Sequence, residues 1–241
     1  MRLARIMASA AYLAALAACE PHWPAKAYDP ELRYNSRWVV LGQTDSGKTR
    51  HVVLALEKTQ RAVVFDPARD PKWLAVGFEP TTTARLVLEP DRLARPQPAR
   101  FVVHPEPEDW RRDDGQRRPA EEWALELDAF AQVCRLAGNL VAVFDECGDY
   151  ERPAGPTLAE VACRDRHEGI AAIYLAQRAV QIPLTVRAQA TDVFSAFQQH
   201  PDDLAALEEW CGPAFRAEVS AWQAPSPLVH SCRRPPRKKG S

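Results

Sequence analysis

The stretch Val39–Arg50, VVLGQTDSGKTR, brings together residue types that can hold a chain of phosphates. Gly42, four residues, then Gly47-Lys48-Thr49 match the G-x-x-x-x-G-K-[ST] spacing without a mismatch. The glycines let the backbone of Gly42, Gln43, Thr44, Asp45, Ser46 and Gly47 turn successive N–H groups inward around a phosphate. Lys48 is placed to reach the β- and γ-phosphates, and the Thr49 hydroxyl to ligate Mg²⁺. A helix starting at the end of the loop adds its positive N-terminus to the same site.

A second acidic element lies far downstream. "LVAVFDE" puts Asp145 and Glu146 at the carboxyl end of a hydrophobic run, where open α/β sheets bind ligands. Asp145 is placed to complete the Mg²⁺ shell, through water or through Thr49. Glu146 is placed to orient and polarise an attacking water. A strand-end acidic pair facing solvent has the same local sequence; the phosphate loop upstream gives this one its meaning. A third polar residue, Gln177, ends the run "IAAIYLAQR". It can touch the γ-phosphate or the water, or simply cap a strand end.

These residues need elements to hold them. "RWVVL" reads as a buried strand before the loop, and "KTRHVVLALEK" as a helix after it. "RAVVFDP", "RFVVHP", "NLVAVFDE", "IAAIYLAQR" and "DVFSAF" read as further strands, with "ARLVLE" as a short strand. "AEEWALELDAFAQVCRLAG", "PTLAEVACRDRHEG" and "PDDLAALEEWCG" read as helices. Apolar strands alternating with helices predict an α/β fold, a mainly parallel sheet with helices on both faces. At least two strands lie between the loop and "FDE". That suggests the P-loop class with an added strand between the two motif strands and a catalytic Glu. No N-K-x-D base-reading motif is present. Hydrolysis of ATP by water is therefore expected over transfer to a small acceptor.

Composition sets bounds. The 241 residues are 46% hydrophobic and 26% charged, enough for one sizeable α/β domain with extensions. A formal net charge of −1 does not announce a nucleic-acid binder, so that role has to come from local patches. Such patches are Arg111, Arg112, Arg117 and Arg118; Arg164, Arg166 and His167; and the tail residues Arg233, Arg234, Arg237, Lys238 and Lys239. For any single residue of these, a solvated charged loop is the better reading. The six cysteines show no metal-binding spacing and read as reduced thiols. "MRLARIMASAAYLAALAACE" has the look of a lipoprotein signal ending at Cys19. It also reads as an Ala-rich helix or an early start, and the nucleotide motifs argue against export. The expected division is residues 1–36 as an apolar helix and linker, 37–224 as the P-loop ATPase domain, and 225–241 as a basic, Pro-rich tail.

Over residues 37–200 the chain resembles the HerA/FtsK superfamily of DNA-pumping ATPases. The resemblance rests on "HEGIAAIYLAQRAVQIPLTVRAQATDVFSAF" and on the "VVFDP" strand. The "RHEGI" lead-in is most similar to the genome-packaging ATPases of tailless, membrane-containing icosahedral phages. The resemblance implies a RecA-like core and a homo-oligomeric ring, with a hexamer the expected size. It also implies ATP-driven movement of double-stranded DNA, with Glu146 as catalytic base and Gln177 as sensor. Capsid vertex or membrane proteins of a virion are the further partners, and the host cytoplasm or the virion vertex the expected location. Rings of this kind complete each site with an arginine from the next subunit. This chain departs from the FtsK pattern, because "ATDVFSAF" has no arginine. Arg187 is the first expectation for that role and Arg178 the second, although either could be a surface ion pair or a DNA contact. Two alternatives are a filamentous-phage assembly ATPase of the zonula occludens toxin type and an ATP-dependent switch or partition protein.

Overall fold

Five-residue runs of nearly continuous apolar character make the centre of the protein, and such runs are stable as strands only when both faces are covered. A computed structural model describes residues 36–89, 91–94, 98–104, 120–221 and 228–232. The N-terminal segment, the Arg111–Arg118 insertion and the basic tail from Arg233 lie outside the described residues, as does the Arg166 side chain.

The strands are β1 (Arg37–Leu41), β2 (Arg61–Phe65), β3 (Glu79–Thr81), β4 (Ala99–Val103), β5 (Leu140–Phe144), β6 (Ile170–Ala176), β7 (Asp192–Ser195) and β8 (Val229–Cys232). They form one sheet in the order β3-β4-β2-β5-β6-β1-β7-β8. The first seven run parallel, and β8 pairs antiparallel with β7. The helices are α1 (Lys48–Ala55), α2 (Pro71–Ala75), α3 (Thr83–Leu88), α4 (Asp91–Ala94), α5 (Ala120–Ala137), α6 (Cys147–Cys163), α7 (Leu184–Gln189), α8 (Pro201–Cys211) and α9 (Pro213–Ser220).

Alternate residues of each strand enter two separate cores, as the two-residue period of a strand requires. Val40, Val64, Val143 and Ile173 pack with Val52 of α1, Leu56 just after it and Trp73 of α2. Val39, Phe65, Phe144 and Tyr174 pack on the other face with Phe130 of α5, Leu158 of α6 and Leu207 of α8. On that second face Phe144 stacks on Tyr174, with ring centroids 5.2 Å apart and planes 10° apart. Phe130 meets Phe65 at 5.3 Å and Phe144 edge-on at 5.6 Å. The α/β parallel architecture expected from the sequence is the one observed.

Three details differ. An added strand does separate the two motif strands β1 and β5, but it is β6, which follows β5 in the chain. The strands between the motifs in sequence, β2, β3 and β4, lie on the far side of β5. "ARLVLE" is helical, not a strand. The Thr82 hydroxyl caps α3 by accepting the Arg85 N–H at 3.2 Å, and Thr83 donates to buried Glu126 of α5 at 3.1 Å. The sheet also runs past residue 224, because β8 adds to its edge.

The end of the sheet away from the phosphate loop is closed by two buried arginines. Arg37, at the start of β1, donates to Ala162 O at 3.0 Å, Val161 O at 3.3 Å and Ile170 O at 2.7 Å. Arg61, at the start of β2, donates to Asn139 O at 3.2 Å, to Ala137 O at 3.4 Å and to Leu93 O. Each guanidinium thus serves the terminal carbonyls of a helix, α6 or α5, which have no partner within the helix and which favour a cation. Arg37→Met keeps the apolar stem but orphans those carbonyls. It is expected to cost on the order of 3 kcal/mol in denaturant unfolding. Nucleotide affinity of the folded fraction should be unchanged, because Arg37 sits at the opposite end of β1.

Candidate nucleotide-binding site

The carboxyl ends of β1, β2, β5 and β6 meet at one edge of the sheet, and each carries a polar residue singled out by type. Gly42 follows β1 and donates its N–H to Ala176 O of β6 at 3.1 Å. A Cβ at Gly42 would lie 2.2 Å from Ser46 Oγ, so only glycine allows the loop to close this tightly. Gly47 is needed for another reason: its φ of +90° is disfavoured for any side chain. Asp45 shares that left-handed character, with φ +63°. Gln43, Thr44 and Asp45 are exposed at the mouth, while Lys48 and Thr49 are buried at the base. Ser46 Oγ is buried and has no hydrogen-bond partner among the described residues. A cradle with an orphaned hydroxyl in it suits a phosphate oxygen.

Lys48 and Glu146 come together: Nζ lies 2.9 Å from Glu146 Oε1. Gln177 donates from Nε2 to Glu146 Oε2 at 3.3 Å. Glu146 is the residue before α6 and has φ +49° and ψ +46°, a left-handed conformation costing roughly 1 kcal/mol for a side chain of this kind. Non-glycine residues held this way concentrate at functional sites. The loop after Gln177 is also fixed. Gln198 Nε2 donates to Gln177 O at 3.2 Å, and Arg178 N donates to Gln181 Oε1 at 2.9 Å. The Gln181 amide lies so close to α6 that a Cβ on Gly148 would stand 2.4 Å from it.

Arg178 and Arg187 are both engaged within their own chain. Arg178 Nε donates to buried Asp203 of α8 at 2.9 Å, and its second nitrogen lies 3.0 Å from His200 Nδ1. Arg187 Nε donates to Ile182 O at 2.8 Å. In the expected basic patches, Arg164 pairs with Glu160 at 2.8 Å.

Two residues of the site were not singled out by the sequence reading. Asp66 ends β2 just as Asp145 ends β5, and the "VVFDP" run could have marked it. Its Oδ2 accepts the Asp70 N–H at 2.7 Å, while Oδ1 is buried without a hydrogen-bond partner. Trp73 on α2 donates its indole N–H to Asp145 Oδ2 at 3.2 Å. Nothing in its local sequence foretells that contact across the sheet. Burial pushes the Asp66 carboxyl up to about 7, helped by the charge of Asp145. Burial, then the neighbouring Glu146 charge, pushes Asp145 up to about 6, against the pull of Lys48 and the Trp73 N–H. Lys48 thus faces Asp145 and Glu146, with Asp66 beside Asp145, an excess of carboxylates that a bound divalent cation relieves.

The oxygen donors fit Mg²⁺ held in part by a nucleotide. Thr49 and Asp145 offer hard oxygen ligands, and no group of three His, Cys, Asp or Glu residues able to hold a metal exists among the described residues. Mg²⁺ bound by one or two protein oxygens plus substrate phosphates needs no such cage. Cys134, Cys147, Cys163 and Cys211 are thiols, not joined in disulfides. No described helix is long and apolar enough to cross a membrane.

No protein-family model matches the sequence, and no curated protein matches it significantly. Solved structures do share its fold. The genome packaging NTPase B204 from Sulfolobus turreted icosahedral virus 2, in complex with AMP, is similar with a TM-score of 0.59 and 14% identity, covering 83% of this chain and 94% of that one. The DNA-packaging ATPase B204 from Sulfolobus turreted icosahedral virus has a TM-score of 0.55 and 18% identity, over 78% and 88% of the two chains. VirB4 of Thermoanaerobacter pseudethanolicus has a TM-score of 0.55 and 11% identity, over 83% and 90%. At these identities the likeness is one of fold: the chain has the architecture of these P-loop NTPases over nearly their whole length.

The raised Asp66 carboxyl makes stability depend on pH with a definite sign. The folded protein keeps this proton from the ordinary 3.8 up to about 7, whereas the unfolded chain releases it near 3.8. The folded state binds more protons in that window, so this group's contribution falls as pH rises through it. In metal-free buffer, the stability of Asp66→Asn relative to the native chain should climb from pH 4 to 7 and level off above. Chemical denaturation across that range checks the slope.

Proposed function

We propose that the protein is an ATP-hydrolysing motor that moves double-stranded DNA into a preformed viral capsid. One observation carries the reading. A phosphate loop, Asp145, Glu146 and Gln177 converge at the carboxyl edge of a fold shared with viral packaging NTPases. The phosphate chain of ATP lies along the backbone N–H groups of residues 42–47, with Lys48 at the β- and γ-phosphates. The Thr49 hydroxyl and Asp145 would hold Mg²⁺, which neutralises charge building on the phosphate oxygens.

Lys48 and Glu146 occupy each other at 2.9 Å, so phosphates that draw Lys48 away leave Glu146 free as a base. Gln177 still holds the second carboxylate oxygen. Glu146 then orients a water, takes its proton as the oxygen attacks the γ-phosphorus, and ADP departs with the bond electrons. Gln177, touching Glu146, registers the loss of the γ-phosphate.

The chain acts in this reading as a homo-oligomeric ring, a hexamer, with an arginine from each neighbour completing the next site. Arg187 is the first assignment for that arginine and Arg178 the second. The grip on DNA is through phosphates and is salt-dependent. The place of action is the cytoplasm of the host or the vertex of the virion, next to capsid or membrane proteins.

The test is ATP hydrolysis by the purified chain, with and without double-stranded DNA, beside Glu146→Gln. Hydrolysis should rise several-fold with DNA and fall on the order of 100-fold or more in the variant. Nucleotide binding should persist. Turnover indifferent to both DNA and Glu146→Gln would overturn the reading.

A further inference from the structure

Trp73 is fully buried, yet it sits on a five-residue helix at the edge of the candidate site. Its ring packs edge-on against Phe78, with centroids 5.5 Å apart and planes at 72°. An indole has a single polar atom, a donor, and a buried one needs a partner. Here that partner is Asp145 Oδ2, 3.2 Å away and 72 residues along the chain. The other oxygen, Oδ1, accepts the Glu146 N–H at 2.9 Å. A carboxylate held at both oxygens by groups at different points of the fold has its plane and rotamer fixed.

The donor is itself held in place. Pro71 opens α2, and the Asp70 carboxylate caps it by accepting the Lys72 N–H at 2.9 Å. The Asp70 N–H is in turn bound by Asp66 Oδ2 at 2.7 Å. The acid at the tip of β2 thus sets the loop that carries Trp73, and Trp73 sets the acid at the tip of β5.

We infer that Trp73 is a positioning residue for the metal-binding function of Asp145, acting through its indole N–H. This rests on the ATPase reading, in which Asp145 belongs to the Mg²⁺ shell. Groups that orient a metal ligand are worth roughly 10- to 100-fold in metal affinity. The indole N–H keeps the Asp145 carboxylate turned for the cation and offsets part of its charge while no cation is present.

The experiment is a titration of Mn²⁺, followed by electron paramagnetic resonance, into the full chain saturated with a non-hydrolysable ATP analogue. Trp73→Phe keeps an aromatic in the pocket and removes the donor. Trp73→3-benzothienylalanine keeps the indole shape with sulfur in place of N–H, and serves if the phenylalanine variant folds poorly. Phe78→Leu disturbs the same packing and leaves the donor.

The two position-73 variants should bind Mn²⁺ about 10-fold more weakly. Their affinity for the analogue in EDTA should match the native chain, and Phe78→Leu should keep native Mn²⁺ affinity. Native Mn²⁺ affinity in the benzothienyl variant would overturn the inference. So would an equal loss in Phe78→Leu, which would make the effect one of packing. A native chain that binds the analogue but no Mn²⁺ would also overturn it and leave nucleotide binding standing. A native chain that binds no analogue would overturn the ATPase reading itself.

Discussion

A sheet of parallel strands gathers all its carboxyl ends at one edge, and this constraint organises the protein. Seven strands run the same way, so the residues following β1, β2, β5 and β6 become neighbours although the chain separates them widely. The edge that results is crowded with acids. Asp66 and Asp145 are buried, Glu146 stands beside them, and Lys48 answers with one positive charge. At the opposite edge Arg37 and Arg61 are buried against helix carbonyls, with the acids Asp165 and Asp192 buried beside them.

The acidic edge also holds local strain. Glu146 is left-handed and Asp45 is left-handed, each at a cost that a lone loop could not sustain. Both sit between a rigid strand and the first turn of a helix, where flanking hydrogen bonds fix the backbone. The buried strands β1 and β5 are the anchors, and their alternating side chains are locked into two cores at once.

How much of this could be read from the chain follows from the range of each interaction. The phosphate loop was legible because Gly42, Gly47 and Lys48 answer to local backbone needs. Asp145 and Glu146 were legible because a continuous apolar run points to its own end. Helix α3 was misread as a strand because its few apolar residues fit either period, and Thr82 decides the matter by capping. Helix α9 was missed although Pro213 follows Gly212 at its start. The placement of β6 between β1 and β5 is a property of the crossovers, which no spacing encodes. Trp73 and Gly148 owe their meaning to contacts made across the fold, with Asp145 and with Gln181, so no local pattern marks them.

The contact of Gly148 with Gln181 has a mechanical consequence. The loop after Gln177 has no slack: it is pressed on α6 at one side and tied to Asp203 of α8, through Arg178, at the other. The backbone N–H of Val180 is bound to Asp203 as well, at 3.2 Å. Gln177 is thereby tied, through a few short bonds, to α8 and to the α9 helix packed on it.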